Sequence, residues 1–301
     1  MAQDKAVFAK QKDQMASGKG FIAALDQSGG STPKALLQYG VEESEYNGEA
    51  EMYGEIHKMR TRIITAPDFT NDKVLGAILF ERTMRGEIEG LPTAQYLWEK
   101  RGVVPFLKID KGLEDEANGV QLMKPMPGLA EFLDEAAQEF GIFGTKERSV
   151  IHEANAEGIE AVVAQQFEIG RMVIAAGMVP ILEPEVNIHS ATKEEAEAIL
   201  EASLAKHLDT LAEGEDVMIK LTIPSVPGLY DGLADHPRVV RVVALSGGYS
   251  TDDACERLSK NTKMIASFSR ALAEGLSKKQ SDDEFNALLG SNIEKIYQAS
   301  L

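Results

Sequence analysis

Polar residues stand at the ends of eight short apolar runs along the 301-residue chain, and they are the first candidates for chemistry. The residues directly after the runs are Asp26, Glu81, Lys108, Lys146, Glu183, Lys220, Ser246 and Ser267. Taken singly, a charged residue after an apolar run is most often a solvated loop residue. Eight of them on eight consecutive runs would form one site if the runs are strands whose ends meet.

Lys220 is the residue whose sequence context best fits a nucleophile. It lies in Val-Met-Ile-Lys-Leu-Thr-Ile, with apolar neighbours on both sides. Burial and a second cation nearby, such as Lys146 or Arg148, would favour the neutral amine, which can form a Schiff base with a carbonyl. The alternative is a lysine at a strand end whose ammonium group reaches out to water.

Three carboxylates are candidates for proton transfer. Glu183 and Glu185 are two residues apart in Ile-Leu-Glu-Pro-Glu, and Asp26 follows the first apolar run. Carboxylates near amines can divide acid and base roles according to their surroundings. A glycosidase pair is an alternative, but it fits poorly with the cations expected around the same site. For Asp26 the alternative is to cap a helix that begins near Ser31.

A group of basic residues near the run ends indicates a substrate that carries phosphate. The group stands out because the chain as a whole has a net charge of −17. Glycine pairs at Gly29-Gly30 and Gly247-Gly248 would let backbone N–H groups approach a phosphate. The second pair follows the seventh run, and the last two strands of α/β barrels commonly bind phosphate. The basic residues are Lys108, Lys111, Lys146, Arg148, Lys220 and Arg270.

The composition disfavours several classes of function. The net charge would repel nucleic acid and anionic membrane surfaces, and no apolar run approaches the roughly 18 residues of a membrane span. Cys255 is the only cysteine and the five histidines are scattered. Neither a disulfide within the chain nor a Cys- or His-based metal centre is therefore expected. We expect a cytoplasmic protein whose partner is a small molecule, with its oligomeric state left open.

The eight apolar runs are typical of buried strands in a parallel sheet, and amphipathic segments separate them. Short runs rich in Val and Ile, bounded by polar residues or glycine, predict strands that are covered on both faces. The predicted strands are Phe21–Leu25, Leu75–Phe80, Val103–Leu107, Ile142–Thr145, Val179–Leu182, Val217–Ile219, Val239–Leu245 and Met264–Ala266. The predicted helices are Glu45–Arg60, Thr93–Arg101, Ile151–Ala176, Lys193–Ala212, Asp252–Asn261 and Ala271–Leu276.

Eight strand and helix units in one unbroken chain predict a (β/α)8 barrel, with residues 1–301 forming a single domain. An open, doubly wound sheet is the competing arrangement. The open sheet does not predict eight strands that each end in a polar residue. In barrels the catalytic residues lie at the carboxyl ends of the strands, which is where the polar residues fall.

Seven segments between residues 24 and 272 form a joint pattern of high specificity. They are Ala24–Ser31 (ALDQSGGS), Leu107–Gly112 (LKIDKG), Gly144–Arg148 (GTKER), Pro180–Glu185 (PILEPE), Ile219-Lys220, Leu245–Gly248 (LSGG) and Ser267–Leu272 (SFSRAL). In this order the segments resemble class I fructose-1,6-bisphosphate aldolase, and the whole sequence is similar to the short bacterial branch of that family.

The resemblance implies a (β/α)8 barrel that cleaves fructose 1,6-bisphosphate reversibly to dihydroxyacetone phosphate and glyceraldehyde 3-phosphate, without a metal or other cofactor. Lys220 would form the Schiff base. Glu183 would be the acid and base for dehydration of the carbinolamine, and Glu185 a partner in the same network. Lys146 would position the substrate and tune Lys220, while Asp26 would take the proton from the C4 hydroxyl.

The resemblance also implies two phosphate sites at the ends of the substrate. Ser246, Gly247 and Arg270 would hold the phosphate on carbon 1, with Ser267 lining that site and Gly248 in the same turn. The candidates for the other phosphate are Ser31, Lys34, Lys108 and Arg148.

The chain departs from the long form of the family at three points. Gln27 stands where the long form has an acidic residue, and Glu147 stands where it has an aromatic one. The long form closes with a tyrosine that assists proton exchange, and Tyr297 is not expected to inherit that role. The group that protonates the enamine therefore stays unassigned.

Two further hypotheses remain open. One is a related Schiff-base aldolase that acts on another phosphorylated sugar. The other is a sugar-phosphate-binding scaffold that has lost its chemistry. The set of Asp26, Lys146, Glu183 and Lys220 argues against the scaffold, because a binder would need the cations but not the carboxylates.

Overall fold

Eight parallel strands close into a barrel in the computed structural model, which describes residues 4–301; the first three residues of the predicted domain lie outside it. Each strand pairs with the next along the chain, and the eighth pairs with the first. The predicted (β/α)8 barrel is confirmed. The strands are β1 (Phe21–Leu25), β2 (Val74–Leu79), β3 (Val104–Lys108), β4 (Gly144–Ile151), β5 (Val179–Val186), β6 (Val217–Thr222), β7 (Val239–Leu245) and β8 (Met264–Phe268).

Helices surround the barrel and cover its outer face. They are α1 (Lys5–Ser17), α2 (Ser31–Gln38), α3 (Gly48–Thr65), α4 (Glu81–Met84), α5 (Thr93–Arg101), α6 (Leu129–Gln138), α7 (Ala156–Ala175), α8 (Lys193–Leu208), α9 (Asp231–Ala234), α10 (Thr251–Leu258), α11 (Arg270–Ala273) and α12 (Asp282–Ala299). Short strands at Glu87–Ile88 and Leu91–Pro92 form a hairpin, and Val120–Gln121 pairs antiparallel with β4. Among residues 4–301, no helix combines the length and apolarity that crossing a bilayer requires.

All eight predicted strands are present, but five of them (β3, β4, β5, β6 and β8) extend past the residues at which they were predicted to end. The strand β4 continues through Lys146 and Arg148, β5 through Glu183 and Glu185, and β6 through Lys220. The prediction ended each strand at the first charged residue. In the structure the backbone hydrogen bonds between strands continue past that residue where its side chain has a partner. The site residues on these strands are therefore held by strand pairing rather than by loops.

The predicted helices are present, most of them with shifted ends, and five helices lack a prediction. Prediction and structure agree at α5. The helix α7 begins five residues later than predicted, because the Asn155 side chain accepts a hydrogen bond from the Gly158 amide at its N-terminus. The unpredicted helices are α1, α4, α6, α9 and α12; α12 has a capping box in which Ser281 and Glu284 exchange hydrogen bonds.

The apolar interior fills the end of the barrel opposite the carboxyl ends of its strands. Inward-facing residues from the strands, among them Phe106, Ile181 and Met218, form one buried cluster with Met15 of α1. The helix α1 lies across this end: the Gln14 side chain donates hydrogen bonds to two backbone carbonyls there. This end is therefore closed by apolar packing, which leaves the other end for chemistry.

We expect Met15→Ala to lower the free energy of unfolding by about 2–5 kcal/mol, because it leaves a cavity in a fully buried cluster. Urea unfolding would measure the loss. Met172→Ala, the same change at a site on α7 that is 39% exposed, is the matched control and should cost far less. Equal losses in the two variants would show that α1 does not complete the core.

Candidate active site

Two lysines and three carboxylates form a buried cluster at the carboxyl end of the barrel, the lysine–carboxylate cluster of Asp26, Asp110, Lys146, Glu183 and Lys220. The Lys146 Nζ atom lies 2.9 Å from Glu183 Oε2, 3.0 Å from Asp26 Oδ2 and 3.6 Å from Asp110 Oδ2. The Lys220 Nζ atom lies 3.0 Å from Glu183 Oε1. Glu183 therefore contacts both amines, one through each carboxylate oxygen.

Neighbouring strands bring these side chains together. Lys146 on β4 is paired in register with Ile181 of β5, two residues before Glu183. The next pair of strands aligns Leu182 with Ile219, the residues just before Glu183 and Lys220. Since alternate residues of a strand face the same side, the charged groups of β4, β5 and β6 meet inside the barrel.

The charged groups of the cluster are almost completely removed from water, so each requires a partner. Lys146 is 3% exposed, Glu183 3% and Lys220 4%. Burial alone would lower the pKa of Lys146, but Asp26, Glu183 and Asp110 together raise it well above its ordinary value. Lys146 is therefore a lasting cation at neutral pH.

The carboxylates respond to the same field with the opposite sign. Burial alone would raise the pKa of Asp26, but the ammonium of Lys146, and then that of Lys220, hold it below its ordinary range. Burial opposes ionisation of Glu183 as well, and Lys146 and Lys220 again outweigh it and lower the pKa. Both carboxyl groups are therefore ionised at neutral pH and able to accept a proton.

Asp110 belongs to this cluster, although the sequence analysis gave it no role. One of its oxygens accepts a hydrogen bond from Lys108 Nζ at 2.6 Å, and the other lies near Lys146. Lys108 also donates to the Asp110 carbonyl oxygen. Lys108 was predicted to lie near a phosphate, but its charge is already balanced by Asp110. The segment Leu107–Gly112 contained both residues, but spacing alone did not show which pairs with which.

Arg148 and Glu185 form a second ion pair beside the cluster. The Arg148 NH1 atom donates to Glu185 Oε2 at 3.0 Å, and the Arg148 side chain is 42% exposed. Burial raises the pKa of Glu185, with Arg148 opposing that effect. Glu185, which was predicted to be a partner of Glu183, therefore contacts Arg148, and Arg148 also lines the adjacent cleft.

A cleft of about 760 Å³ opens beside the cluster and collects five of the predicted phosphate-site residues. Among residues 4–301, the side chains of Arg270 and Lys34 form no ion pair. The Ser267 hydroxyl is buried and has no hydrogen-bond partner within the same range. Cations without a carboxylate partner that line a cleft are suited to an anionic ligand. The five residues are Ser31, Lys34, Arg148, Gly248 and Arg270.

The turn after β7 brings the backbone close to this cleft. Gly247 has φ 60° and Gly248 has φ 125°, conformations that disfavour other residues. A Cβ atom on Gly247 would lie 2.6 Å from Ile188 Cγ2, and one on Gly248 would lie 3.6 Å from an Arg270 guanidinium nitrogen. Glycine is therefore required for the turn that Ser246 begins, and this turn lies against Arg270.

Gln27 and Ser269 also line the cleft, and the sequence analysis missed both as site residues. The Gln27 amide nitrogen donates a hydrogen bond to Ser269 Oγ, linking the loops that follow β1 and β8. Gln27 was noticed only as a departure from the long form. The signal that could have identified Gln27 is its position next to Asp26, because a residue beside a catalytic candidate commonly holds the loop of that candidate in place.

Comparison with known proteins assigns the family. The family model for class I fructose-bisphosphate aldolase matches residues 7–225. The chain belongs to the class I fructose-bisphosphate aldolase family. It is 57% identical to a fructose-bisphosphate aldolase class 1 from Porphyromonas gingivalis, over 97% of this chain and 99% of that one. A Synechocystis protein of the same name is 56% identical over 97% of both chains.

A solved structure shows the family fold at much lower identity. Fructose-bisphosphate aldolase from Plasmodium falciparum, crystallised with TRAP and a small-molecule inhibitor, superposes with a TM-score of 0.76 and covers 100% of this chain and 96% of its own. The sequence identity is 19%, so the likeness concerns the fold alone. The resemblance noted in the seven sequence segments is confirmed at the level of the family.

Glu147 is a buried carboxyl group that the cluster does not include. It lies between Lys146 and Arg148 on β4, so its side chain faces the opposite side of the strand, toward α7. Thr145 donates a hydrogen bond to one carboxyl oxygen at 3.0 Å. The other oxygen, Oε1, has no partner among the described residues. Burial raises the pKa of Glu147 well above its ordinary value and so favours the protonated, neutral form.

We expect Glu147→Gln to gain stability over the wild type as pH rises. The folded chain keeps a proton that the unfolded chain releases near pH 4 to 5, so wild-type stability falls with pH until the folded carboxyl ionises. The amide removes that dependence. The difference between the variant and the wild type should grow by up to about 1.4 kcal/mol per pH unit.

Urea unfolding between pH 5 and pH 8 would measure the difference. Glu168→Gln, at an exposed position of α7, controls for the loss of one carboxylate. A difference between Glu147→Gln and the wild type that stays constant across this range would contradict a buried, protonated Glu147.

Proposed function

We propose that this chain cleaves fructose 1,6-bisphosphate reversibly through a Schiff base on Lys220, with the site residues in the roles given below. The observation that carries the proposal is the position of Glu183, which contacts Lys220 and Lys146 through separate oxygens. A carboxylate in contact with both the reacting amine and a permanent cation stays ionised in the resting protein. It can still exchange a proton with the amine during the reaction.

Lys220 is favoured over Lys146 as the nucleophile because the two amines have different surroundings. Lys146 has three carboxylates within 3.6 Å, which hold it as a cation. Within the described residues, Lys220 has a single carboxylate partner, Glu183. Losing its proton therefore breaks one ion pair rather than three, and the same carboxylate can receive that proton.

The covalent steps then involve Lys220 and Glu183. The neutral Nζ atom attacks the C2 carbonyl carbon of the ketose, and the carbonyl oxygen becomes the hydroxyl of a carbinolamine. Glu183, having taken a proton from the amine, returns it to that hydroxyl. Water leaves, and a protonated imine remains on Lys220. Throughout, Lys146 balances the changing charge of Glu183 from 2.9 Å away.

Asp26 is assigned the proton transfer that breaks the carbon–carbon bond. Its carboxylate takes the proton of the C4 hydroxyl, the C3–C4 bond breaks, and the electron pair of that bond moves onto the imine to form an enamine. The aldehyde leaves as glyceraldehyde 3-phosphate. The enamine then gains a proton at C3, and hydrolysis of the new imine releases dihydroxyacetone phosphate. Support for Asp26 comes from its contact with Lys146, which places it in the cluster.

The cleft supplies the groups for the two phosphates. We assign the phosphate on carbon 1 to Arg270, Ser246, Ser267 and the Gly247-Gly248 turn, because Arg270 is unpaired and lies against that turn. The other phosphate is assigned to Ser31, Lys34 and Arg148, which line the same cleft. Lys108 is the weakest of the proposed contacts, since Asp110 already occupies its ammonium group.

The remaining assignments follow from the same chemistry. The protonated imine would be the electron sink, so we assign no metal or other cofactor to the reaction. The single cysteine favours a reducing compartment, and we place the reaction in the cytoplasm. We also propose that residues 1–301 form one domain. A related aldolase that takes a monophosphate sugar is the second candidate; comparing both substrates in one assay would separate them.

We expect dihydroxyacetone phosphate plus borohydride to inactivate the protein irreversibly. The ketone forms a protonated imine with Lys220, and borohydride reduces it to a stable secondary amine. Peptide mass spectrometry should find the adduct on Lys220. Lys220→Met should abolish both trapping and turnover while circular dichroism shows a retained fold, because methionine fills the space of the aliphatic stem.

Lys146 provides the contrasting result for this experiment. An adduct on Lys146, or trapping that persists in Lys220→Met, would contradict the assignment of the nucleophile. A wild-type protein that neither traps the ketone nor cleaves the bisphosphate would contradict the proposed function as a whole.

We expect Arg270→Ala to weaken substrate binding on the order of 1.5–3 kcal/mol, because it removes a charge-assisted contact to phosphate. This corresponds to roughly a 10- to 150-fold rise in Kd. Inhibition by inorganic phosphate would measure it. Arg171→Ala removes an exposed cation of α7 that donates to Thr210, and it should leave inhibition unchanged. Equal inhibition constants for the wild type and Arg270→Ala would remove Arg270 from the phosphate site.

A further inference from the structure

Arg60 is a completely buried arginine behind the loop that carries Asp26. It lies on α3 and is 0% exposed. Its NH1 atom donates to Thr83 Oγ1 at 2.7 Å. Its NH2 atom donates to the Gln27 carbonyl oxygen at 2.6 Å and to Gln27 Oε1 at 3.2 Å. The guanidinium group therefore holds the residue after Asp26 by both its backbone and its side chain.

The hydrogen-bond partners of Arg60 are all neutral, which leaves its charge to be balanced from farther away. Burying an unbalanced cation is costly, and burial lowers the pKa of Arg60 to about 10. The carboxylate of Asp26 is the first group that opposes this effect. Asp26 thus lies between two cations, Lys146 in direct contact and Arg60 behind the loop.

The contact with Gln27 extends to the neighbouring loop after β8. The Gln27 amide nitrogen donates to Ser269 Oγ, and Ser269 is followed by Arg270, the proposed phosphate ligand. One buried guanidinium group therefore fixes a path from α3 through the loop after β1 to the loop after β8. The groups at the two ends of this path are Asp26 and Arg270.

We infer that Arg60 is a positioning residue for the bond-breaking step. It holds the Asp26 carboxylate within reach of the position that the C4 hydroxyl of the substrate must take. The inference rests on the proposed function. Arg60 contacts neither Lys220 nor Glu183 among its hydrogen bonds, so it does not serve the formation of the Schiff base. Removing it should slow the cleavage of the bisphosphate and leave the reaction of Lys220 with a ketone intact.

The experiment compares two reactions in Arg60→Met and Arg60→Lys. Cleavage of fructose 1,6-bisphosphate gives kcat and KM, and it needs Asp26. Trapping of dihydroxyacetone phosphate with borohydride gives the rate of imine formation, and it needs Lys220 and Glu183 only. Small displacements of a reacting group can cost about 100-fold in rate. We expect kcat of Arg60→Met to fall by roughly 10- to 100-fold, with KM and the trapping rate within about threefold of the wild type.

Arg60→Lys keeps the charge and can reach one of the acceptors, so it should recover part of the lost kcat. Arg241→Met is the matched control, because Arg241 is a half-buried arginine that also donates to backbone carbonyls, those of Met15 and Gly18 at the other end of the barrel. It should lower stability and leave kcat and trapping unchanged. Should Arg60→Met fail to fold, the ratio of kcat to trapping rate in Arg60→Lys decides in its place.

Three results would overturn the inference. The first is an unchanged kcat in a folded Arg60 variant. The second is a parallel loss of kcat and trapping, which would show that Arg60 supports the fold or Lys220 rather than Asp26. The third is a lysine variant no better than the methionine variant, which would remove the role of the charge. Failure of the wild type to trap or cleave would instead contradict the proposed function.

Discussion

An ammonium group buried inside a barrel must be surrounded by carboxylates, and the rest of this site follows from how Lys146 meets that demand. Removing a single ion from water costs several kcal/mol even after the protein relaxes. Lys146 has three carboxylates within 3.6 Å. Three negative charges around one positive charge would themselves repel. Lys220 on Glu183 and Lys108 on Asp110 bring the total to three cations and three anions.

This balance explains why the chemistry requires a rigid closed barrel. The six charged groups come from the loop after β1 and from β3, β4, β5 and β6 with their connections, so no single element could assemble them. Parallel pairing fixes the register of each strand against the next, and the alternation of side chains aims the charges inward at one level. Below that level the interior is apolar and closed by α1. The charged layer therefore rests on a packed core that excludes water from one side.

The sequence predicts the barrel and most of the cluster because both depend on patterns that are local along the chain. Apolar runs mark the strands, and a charge at the end of each run marks a residue of the barrel mouth. The same signal fails where charge is compensated: the strands β4, β5 and β6 continue through Lys146, Glu183 and Lys220 because partners from other strands accept them. Local patterns also cannot show which charged side chains form ion pairs, so the sequence analysis gave Asp110 no role.

Arg60 shows the limit more sharply, because its charge lies on an amphipathic helix where solvent exposure is the ordinary expectation. Only the fold reveals that the loop after β1 covers it. The helix α1 escaped prediction because its apolar pattern is weak: it buries only Gln11 and Met15. The helices α6 and α12 bury apolar residues at three- and four-residue spacing, so their signal was present in the sequence.

The basic residues of the mouth divide into two groups that do different work, which a count of charges alone does not reveal. Lys146 and Lys220 are paired inside the cluster and Lys108 is paired with its member Asp110, while the side chains of Arg270 and Lys34 form no ion pair within residues 4–301. The chain has a net charge of −17, so its long-range field does not attract an anionic substrate. Salt also screens that field beyond about 8–10 Å. Binding must therefore come from the unpaired cations, which act at contact distance.

A substrate held by its phosphates at these cations would present its neutral carbon chain to a cluster whose charges are already balanced. The phosphates then have no free cation inside the cluster to compete for, so the ion pairs that prepare Lys220 and Asp26 survive the arrival of a highly charged ligand.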